Sequence, residues 1–307
     1  MALKISGSSQ QYLADLERTQ SQLQKSQAQI SSGLRLQQAS DDPAALAPIF
    51  QLQAGIAANQ QTQKNLNAAQ TELNTADTSI QAAISAIESA ISLAAQGANS
   101  TATAQDRLNI SQQVIGLQQT LVSLTQTAVA GRYIFSGDQD SQPPYQLDPS
   151  QPNGVRQDVS ASATRVVLDI NGSPVALAKT AQEIFDVRDV AGATAPGNVF
   201  KAVAALLNGL RNNDQPSIAW AADLLRSADD HLNSMLAAYG QSESRVSDAL
   251  TLAQNFLLQQ QAALSQDQDV DFASAALALS SAQTQQQATL SVAAKIQQTP
   301  NLFSLLA

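Results

Sequence analysis

The chain has 307 residues, of which 44% are apolar, only 4% aromatic and 13% charged, and its formal net charge at pH 7 is −9. Nucleic acid is excluded as a partner, because the sequence offers no basic stripe to neutralise phosphates. The absence of cysteine excludes disulfides and thiolate metal sites. The first residues lack a secretory signal pattern and no apolar run approaches about 18 residues, so neither Sec-type export nor a membrane span is predicted.

The first predicted helix begins near residue 8 and carries a narrow apolar seam. Large apolar residues recur with a heptad spacing at Leu16, Leu23 and Ile30, with Tyr12 one turn before them. A seam this thin suits a helix pair. A break follows, in which Ser40 or Asp41 is expected to cap the next helix, with proline in its first turn. The residues that mark this break are Ser32, Gly33, Ser40, Asp41, Asp42 and Pro43.

The next two predicted helices carry the clearest apolar repeat. One heptad position holds Leu66, Leu73, Ile80, Ile87 and Ala94. The position three residues later holds alanine each time, at Ala69, Ala76, Ala83 and Ala90. Thr103 and Asp106 form a capping-box pattern that opens the second helix, whose stripe runs from Ile110 to Ala128. These patterns predict an antiparallel helical hairpin with an intramolecular core.

The region from about 136 to 198 differs from its surroundings, because it is rich in Pro, Gly and Asp. Within it, RVVLDI, Asn171–Gly172 and SPVALA predict a β-hairpin over 164–178, since an Asn-Gly pair satisfies the positive φ angles of a two-residue turn. Helical patterns return after Gly197, first as a short helix and then as one long helix that includes residues 225–257. The chain thus leaves and returns along one long body, which predicts both termini at the same end.

The C-terminal segment mirrors the N-terminal one. A polar patch, QDQDVD at 266–271, precedes it, and its large apolar residues are Phe272, Leu279, Leu290, Ile296, Leu302 and Phe303. Each terminal seam buries too little area to order about thirty residues alone, even at about 25 cal/mol per Å². We therefore expect the terminal helices to order on assembly, with these residues and those of the first seam as the assembly interface.

No group of residues has the arrangement of a catalytic or metal site. His231, the only histidine, has no suitable partner and is expected to be solvated on a helix. Asp267, Asp269 and Asp271 begin with the spacing of a calcium loop but lack its later Gly and Glu, so a helix break with Asp271 as a cap is expected. We predict no enzyme activity, no metal and no cofactor.

Several motifs resemble bacterial flagellins and flagellar hook-associated proteins. ISSGLRLQQASDDPAAL at 30–46, QGANSTATAQDR at 96–107 and GQSESRVSDAL at 240–250 match segments that this family shares. SDDP in the first segment, GRYIFSG at 131–137 and EIFDVRD at 183–189 are more similar to the hook–filament junction branch than to filament flagellin. By this resemblance GRYIFSG connects a helical rod to an outer domain, and its residues are Gly131, Arg132, Tyr133, Ile134, Phe135 and Gly137.

The resemblance implies a mainly α fold, an elongated antiparallel helical bundle or coiled-coil rod with a small inserted β-rich domain. It implies an inner coiled-coil tube from residues 1–43 with 267–307. A helical rod layer would comprise 44–135 with 199–266, and an outward β-rich domain 136–198. This sequence departs from the family at Glu243–Arg245, where an Asn-Arg pair is usual.

The resemblance also implies a structural function at the hook–filament junction. A homo-oligomeric ring would link a hook-associated protein on the hook side to flagellin on the filament side, outside the cell. Export would use the flagellar type III system, with a chaperone on the C-terminal region and no membrane or nucleic-acid partner. Two alternatives stay open: filament flagellin itself, and, from another class, an intracellular coiled-coil scaffold supported by the heptads alone.

Overall fold

The computed structural model describes residues 7–38, 40–160, 165–177 and 179–298 and divides into two compact units. The first contains the residues up to Ala58 and those from Phe256 onward, and the second contains Asn59–Asn255. Helices account for most of the described residues, which confirms the mainly α class. They are α1 Gly7–Ser32, α2 Pro43–Gly97, α3 Ala104–Thr125, α4 Ala181–Phe185, α5 Val199–Arg211, α6 Gln215–Gln268 and α7 Phe272–Gln298.

The core of the second unit forms along α2, as the heptad stripe predicts. All its large members and its alanines are buried, with Leu66, Ile80 and Ile87 completely so. Because alanine separates the large residues, neighbouring helices approach closely, and the buried Asn59 amide donates to the Ala253 carbonyl of α6 at 3.0 Å. Burial of each Leu or Ile contributes about 2 kcal/mol, so the stripe is the main stabilising feature of this unit.

Helix α3 returns antiparallel to α2, which confirms the predicted hairpin. Its start is capped by the Thr103 and Asp106 capping box, with the Thr103 hydroxyl accepting from the Asp106 amide at 3.2 Å. Arg107 in its first turn donates to the carbonyl of Gly97, the last residue of α2, at 2.8 Å. Just beyond the far end of α3, the Thr127 hydroxyl lies 3.0 Å from that of Ser79. Both ends of the hairpin are therefore fixed.

Helices α5 and α6 complete the core, as a short and a long helix in the predicted order. A Cβ at Gly97, the last residue of α2, would lie 2.6 Å from Leu210 Cδ2 of α5, so a side chain there would require Leu210 to shift. His231 lies on α6, as predicted, and is partly exposed. Its ring Nε2 lies 2.9 Å from the Glu183 carbonyl oxygen, and its Cβ packs directly under Gly197. The lone histidine therefore ties α6 to α4.

Three two-stranded antiparallel hairpins follow α3: β1 Ala128–Val129 with β2 Arg132–Tyr133 just before the middle region, and within it β3 Tyr145–Leu147 with β4 Val155–Gln157, and β5 Val166–Leu168 with β6 Pro174–Ala176. The hairpin predicted at Asn171–Gly172 is confirmed, but its two-residue turn is wrong. Only Gly172 has a positive φ, of 78°. The Asp169 carboxylate accepts from the amides of Asn171 and Ser173, both at 2.8 Å, and so favours a longer turn.

The EIFDVRD motif forms a buried polar cluster in the middle region. Its Asp186 is 3% exposed and accepts hydrogen bonds from the Tyr145 hydroxyl at 2.9 Å and the Asn198 amide at 2.7 Å. Arg188 adds a charged hydrogen bond at 3.0 Å through its Nε. Burial, and then the neighbouring Asp186 carboxylate, raises the pKa of Tyr145. The cluster therefore fixes the β3 hairpin to the start of α5.

Helix α2 is also long and apolar enough to cross a membrane by length and composition alone. The sequence contains no unbroken apolar run of this length, but the mean hydropathy of part of α2 is high. Its stripe is packed in the protein core, where Ile80, Ile87 and Ala94 are completely buried. We therefore attribute its apolar character to packing within the second unit.

Five carboxylates of α2 and α6 form two groups, Glu88 with Asp229 and Asp230, and Asp77 with Glu243, which together we call the acidic seam. Burial, then Glu88 and Asp230, raises the pKa of Asp229, and burial followed by Asp77 raises the pKa of Glu243. One buried oxygen of Asp229, Oδ1, has no hydrogen-bond partner among the described residues. The seam therefore holds like charges close together within the fold.

We predict that Asp229→Asn and Glu243→Gln each raise the melting temperature at pH 7. A raised carboxyl pKa destabilises the folded state above that pKa, and this penalty disappears as the pH falls toward ordinary values of about 4. The gain measured by thermal circular dichroism should therefore shrink between pH 7 and pH 4. Asp248→Asn, at an exposed carboxylate of the same helix, is the matched control. Equal melting temperatures for all three variants at pH 7 would contradict the prediction.

Candidate assembly interface

The segment between α1 and α2 begins with a glycine turn. Gly33 has a φ of 73° and its amide donates to the Gln29 carbonyl at 2.9 Å, which ends α1. The Ser32 hydroxyl accepts from the Leu34 amide at 3.1 Å and from the Gln37 side chain at 2.7 Å. These bonds turn the chain sharply at the predicted break.

Arg35 connects this segment to the C-terminal end of α6. Its guanidinium donates twice to the Asp267 carbonyl, at 2.7 and 3.2 Å, and its backbone amide donates to the Gln268 carbonyl at 2.8 Å. The Val270 amide returns a bond to the Gly33 carbonyl at 2.9 Å. The last carbonyls of a helix carry partial negative charge and lack partners within the helix, so a guanidinium stabilises them.

The two aspartates of SDDP have different functions in this segment. Asp41 accepts from the amides of Gln37 and Gln38 and pairs with Lys25 at 3.0 Å. These interactions, led by the Gln37 amide, lower its pKa to about 2. Asp42 caps α2, since it accepts from the Ala45 amide at 3.3 Å.

The prediction that Ser40 or Asp41 caps α2 is therefore wrong, whereas Pro43 occupies the first helical position as expected. The carboxylate of Asp41 is engaged upstream, and Ser40 is exposed in the turn. Arg35 lies 3.3 Å from Asp42, and its hydrogen bond is the leading cause that lowers the pKa of this carboxyl. The guanidinium thus joins the start of α2 to the end of α6.

Helices α1 and α7 form an antiparallel pair with a thin seam. Leu16, Leu23 and Ile30 lie half-buried along α1. Among the described side chains of the two helices, the buried positions hold small residues: Ser26, Ala275 and Ala282. The Ser26 hydroxyl is buried without a hydrogen-bond partner among the described residues.

The large residues of α7 are more exposed than the α1 seam. Phe272 is 58% and Leu290 is 53% exposed, and Leu279 is half-buried. At about 100° per residue these three positions fall within about 20° of one line along the helix. We call them the α7 stripe. The side chains of Tyr12 and Ile296, and all of Leu302 and Phe303, lie outside the described residues.

The GRYIFSG motif lies in the core of the second unit. Ala130 and Gly131 both have positive φ, 51° and 79°, and form the turn between β1 and β2. Ile134 and Phe135 are each 1% exposed, and the Phe135 ring packs edge-on against Phe185 at a centroid distance of 6.0 Å.

The rest of this motif supports the same packing. Gly137 is buried with a φ of 56°, and the Tyr133 amide donates to the Asp140 carbonyl at 2.8 Å. Arg132 pairs with Glu72 at 3.4 Å, and Glu72 also pairs with Arg165. No sequence signal could have identified this charged group, because its members lie far apart along the chain.

The residues considered for metal binding are used in local structure. The Asp271 carboxylate accepts from the Ala273 amide and the Ser274 hydroxyl, each at 2.9 Å, which confirms it as the cap of α7. The Asp269 side chain accepts from the hydroxyl of Ser265. Across the described ranges, no group of three or more His, Asp or Glu side chains is placed to hold a metal ion.

Comparison with protein families identifies the class of protein. The bacterial flagellin N-terminal helical region matches residues 6–140, and the bacterial flagellin C-terminal helical region matches residues 223–306. Together the two regions cover more than two thirds of the sequence. The chain therefore belongs to the bacterial flagellin family, and its function is structural, in the flagellum.

Among solved structures, the chain resembles a Vibrio parahaemolyticus protein assigned as flagellar hook-associated, at 20% identity and a TM-score of 0.65, covering 75% of this chain and 100% of that one. Xanthomonas campestris FlgL matches at 15% identity and a TM-score of 0.60, covering 70% of this chain and 99% of that one. The flagellar junction protein FlgL of Legionella pneumophila matches at 15% identity and a TM-score of 0.57, covering 72% of this chain and 99% of that one. At these identities the likeness shows a shared fold. No curated protein matches the sequence.

We predict that Arg35→Ala destabilises the first unit by about 1–2 kcal/mol, because it leaves carbonyls at the end of α6 without a charged donor. Hydrogen exchange at the Val270 amide should become faster, since this amide bonds to the same segment. Arg18→Ala is the control, because Arg18 is an exposed α1 residue whose partner Asp15 is 3.9 Å away. Equal exchange rates in the two variants would disprove the proposed function of Arg35.

Proposed function

We propose that this chain is the adaptor of the hook–filament junction, where a ring of its copies would join a hook-associated protein to filament flagellin. Flagellin-type ends alone would suit either a junction protein or a filament subunit. The observation that favours the junction is the likeness to hook-associated and junction proteins, whose chains are matched over 99–100% of their length. The GRYIFSG and EIFDVRD motifs, both packed in the second unit, also support it.

The thin seam of α1 and α7 supports a function in assembly. Buried small residues and half-buried leucines stabilise this pair weakly, whereas the α7 stripe leaves large apolar side chains exposed. Exposed apolar residues along one line are typical of a surface that is covered in an assembly. We therefore propose that residues 1–43 with 267–307 form an inner tube between copies.

The remaining domain assignments are part of the same proposal. Residues 44–135 with 199–266 would form a rod layer around the inner tube, and residues 136–198 an outward domain. Two of the three hairpins, β3–β4 and β5–β6, lie within residues 136–198 and support a β-rich character for this part.

Export and localisation belong to this proposal as well. The subunit would leave the cell through the flagellar type III system and would act at the junction outside the cell. A chaperone on the C-terminal region would shield the α7 stripe before assembly. The exposure of Phe272 and Leu290 supports a need for such shielding.

Deletion of the gene should abolish attached filaments and release flagellin into the medium, and the wild-type gene should restore attachment. Electron microscopy would score the filaments, and immunogold labelling of the complemented strain should give one band at the base of each filament. Attached filaments in the deletion strain would refute the proposal.

The label distribution also tests the alternatives. Labelling along the entire filament would favour filament flagellin, which the two family regions also allow. Absence of the protein from sheared flagella would favour an intracellular coiled-coil scaffold.

A second prediction concerns order in the terminal helices. Amides of α1 and α7 should exchange rapidly in the purified monomer and become protected in isolated hook–filament structures, because their seam is too thin to protect them alone. Amides near Leu73 and Ile80, in the core of the second unit, serve as the internal control and should be protected in both states. Equal protection of α1 and of this core in the monomer would contradict the prediction.

A further inference from the structure

The outer face of α5 carries two adjoining grooves. One, of about 370 Å³, lies between α3, α5 and the β3–β4 loop, and the other, of about 270 Å³, lies between α5, this loop and the start of α6. Pro152 and Asn208 border both grooves. We call this region the α5 surface and define it by Leu147, Pro152, Lys201, Asn208, Arg211 and Trp220.

The composition of the α5 surface is that of an interface. Trp220 is 54% exposed and Leu147 is 45% exposed. Lys201 and Arg211 have no carboxylate partner among the described residues. Exposed Trp and Arg are enriched where proteins bind each other. An acidic partner is therefore favoured.

The acidic seam has the complementary property on another face of the same unit. None of its five carboxylates has a basic partner among the described residues, and Asp229 Oδ1 is buried without a hydrogen bond. Trp220 and Asp229 are nine residues apart on α6, which at about 100° per residue places them on opposite sides of the helix. The two charged surfaces therefore cannot meet within one copy.

We infer that the acidic seam of one copy docks on the α5 surface of the next copy. Positive and negative surfaces on opposite faces of one unit allow a head-to-tail contact between copies. Such a contact repeats around a closed ring of subunits or along an open helical filament. The contact would supply the cations that the seam lacks and would cover the exposed Trp220. This inference rests on the proposed ring of copies and names the surfaces through which they touch.

Cross-linking tests the contact directly, because the chain has no cysteine. The double variant carries Asn208→Cys on the α5 surface and Ser92→Cys, an exposed α2 position one turn beyond Glu88. Isolated hook–filament structures treated with a short bismaleimide should give a ladder of multiples of this 32.2 kDa chain on a denaturing gel. Each single variant should give no such ladder. Cross-links only to a protein of another mass, or no cross-links, would overturn the inference.

Charge reversal provides an independent test. Lys201→Glu with Arg211→Glu should cause loss of most attached filaments, because both surfaces would then be acidic. Adding Glu88→Lys and Asp230→Lys should restore attachment by exchanging the charges across the contact. Thermal unfolding of each purified variant checks that it folds. If folded variants lose attachment and the exchange fails to restore it, the α5 surface binds a different protein and the inference is wrong.

The two tests are separate from the test of the proposed function. The deletion phenotype and the immunogold band depend only on where the protein acts. A junction band without a ladder would reject this contact and leave the junction function intact. A label along the whole filament would reject the junction function, whereas a ladder would still support the contact between copies.

Discussion

The second unit depends on the alternation of large and small residues along α2. One heptad before the stripe begins, the buried Asn59 side chain donates to the Ala253 carbonyl of α6. Each heptad completely buries one large side chain, worth about 2 kcal/mol, and few aromatic residues are available to add more. Stability therefore requires many heptads in series, which explains why the stripe occupies so much of a 55-residue helix.

Both long helices end against an arginine from elsewhere in the chain. Arg107 donates to the Gly97 carbonyl at the end of α2, and Arg35 donates to the Asp267 carbonyl near the end of α6. In each case the guanidinium also reaches a second group: Asn99 for Arg107 and Asp42 for Arg35. A planar group with several donors suits this task, because helix ends expose several carbonyls at once. Lysine could satisfy only part of each arrangement.

What could be predicted from the sequence was determined by local interactions. The α2 stripe, the Thr103 capping box and the break before Pro43 depend on residues a few positions apart, and all three are present. The turn at Asn171–Gly172 was predicted too simply, because the Asp169 side chain competes for its backbone amides. Arg35 and Asp267 are 232 positions apart, and no periodicity connects them. Of the candidate interface, the helix seams were visible in the sequence, but the exposure of the α7 stripe required the fold.

The two units leave different kinds of surface incomplete. In the first, the α7 stripe and the unpartnered Ser26 hydroxyl leave apolar and polar packing unfinished. In the second, the α2 stripe is buried in the core, and the unbalanced feature is charge, at the acidic seam and around Lys201. Apolar contacts are insensitive to salt at moderate concentrations, whereas exposed charge contacts are screened beyond about 8 Å at physiological ionic strength. An assembly that uses both would rely on the first unit for cohesion and on the second for the orientation of neighbouring copies.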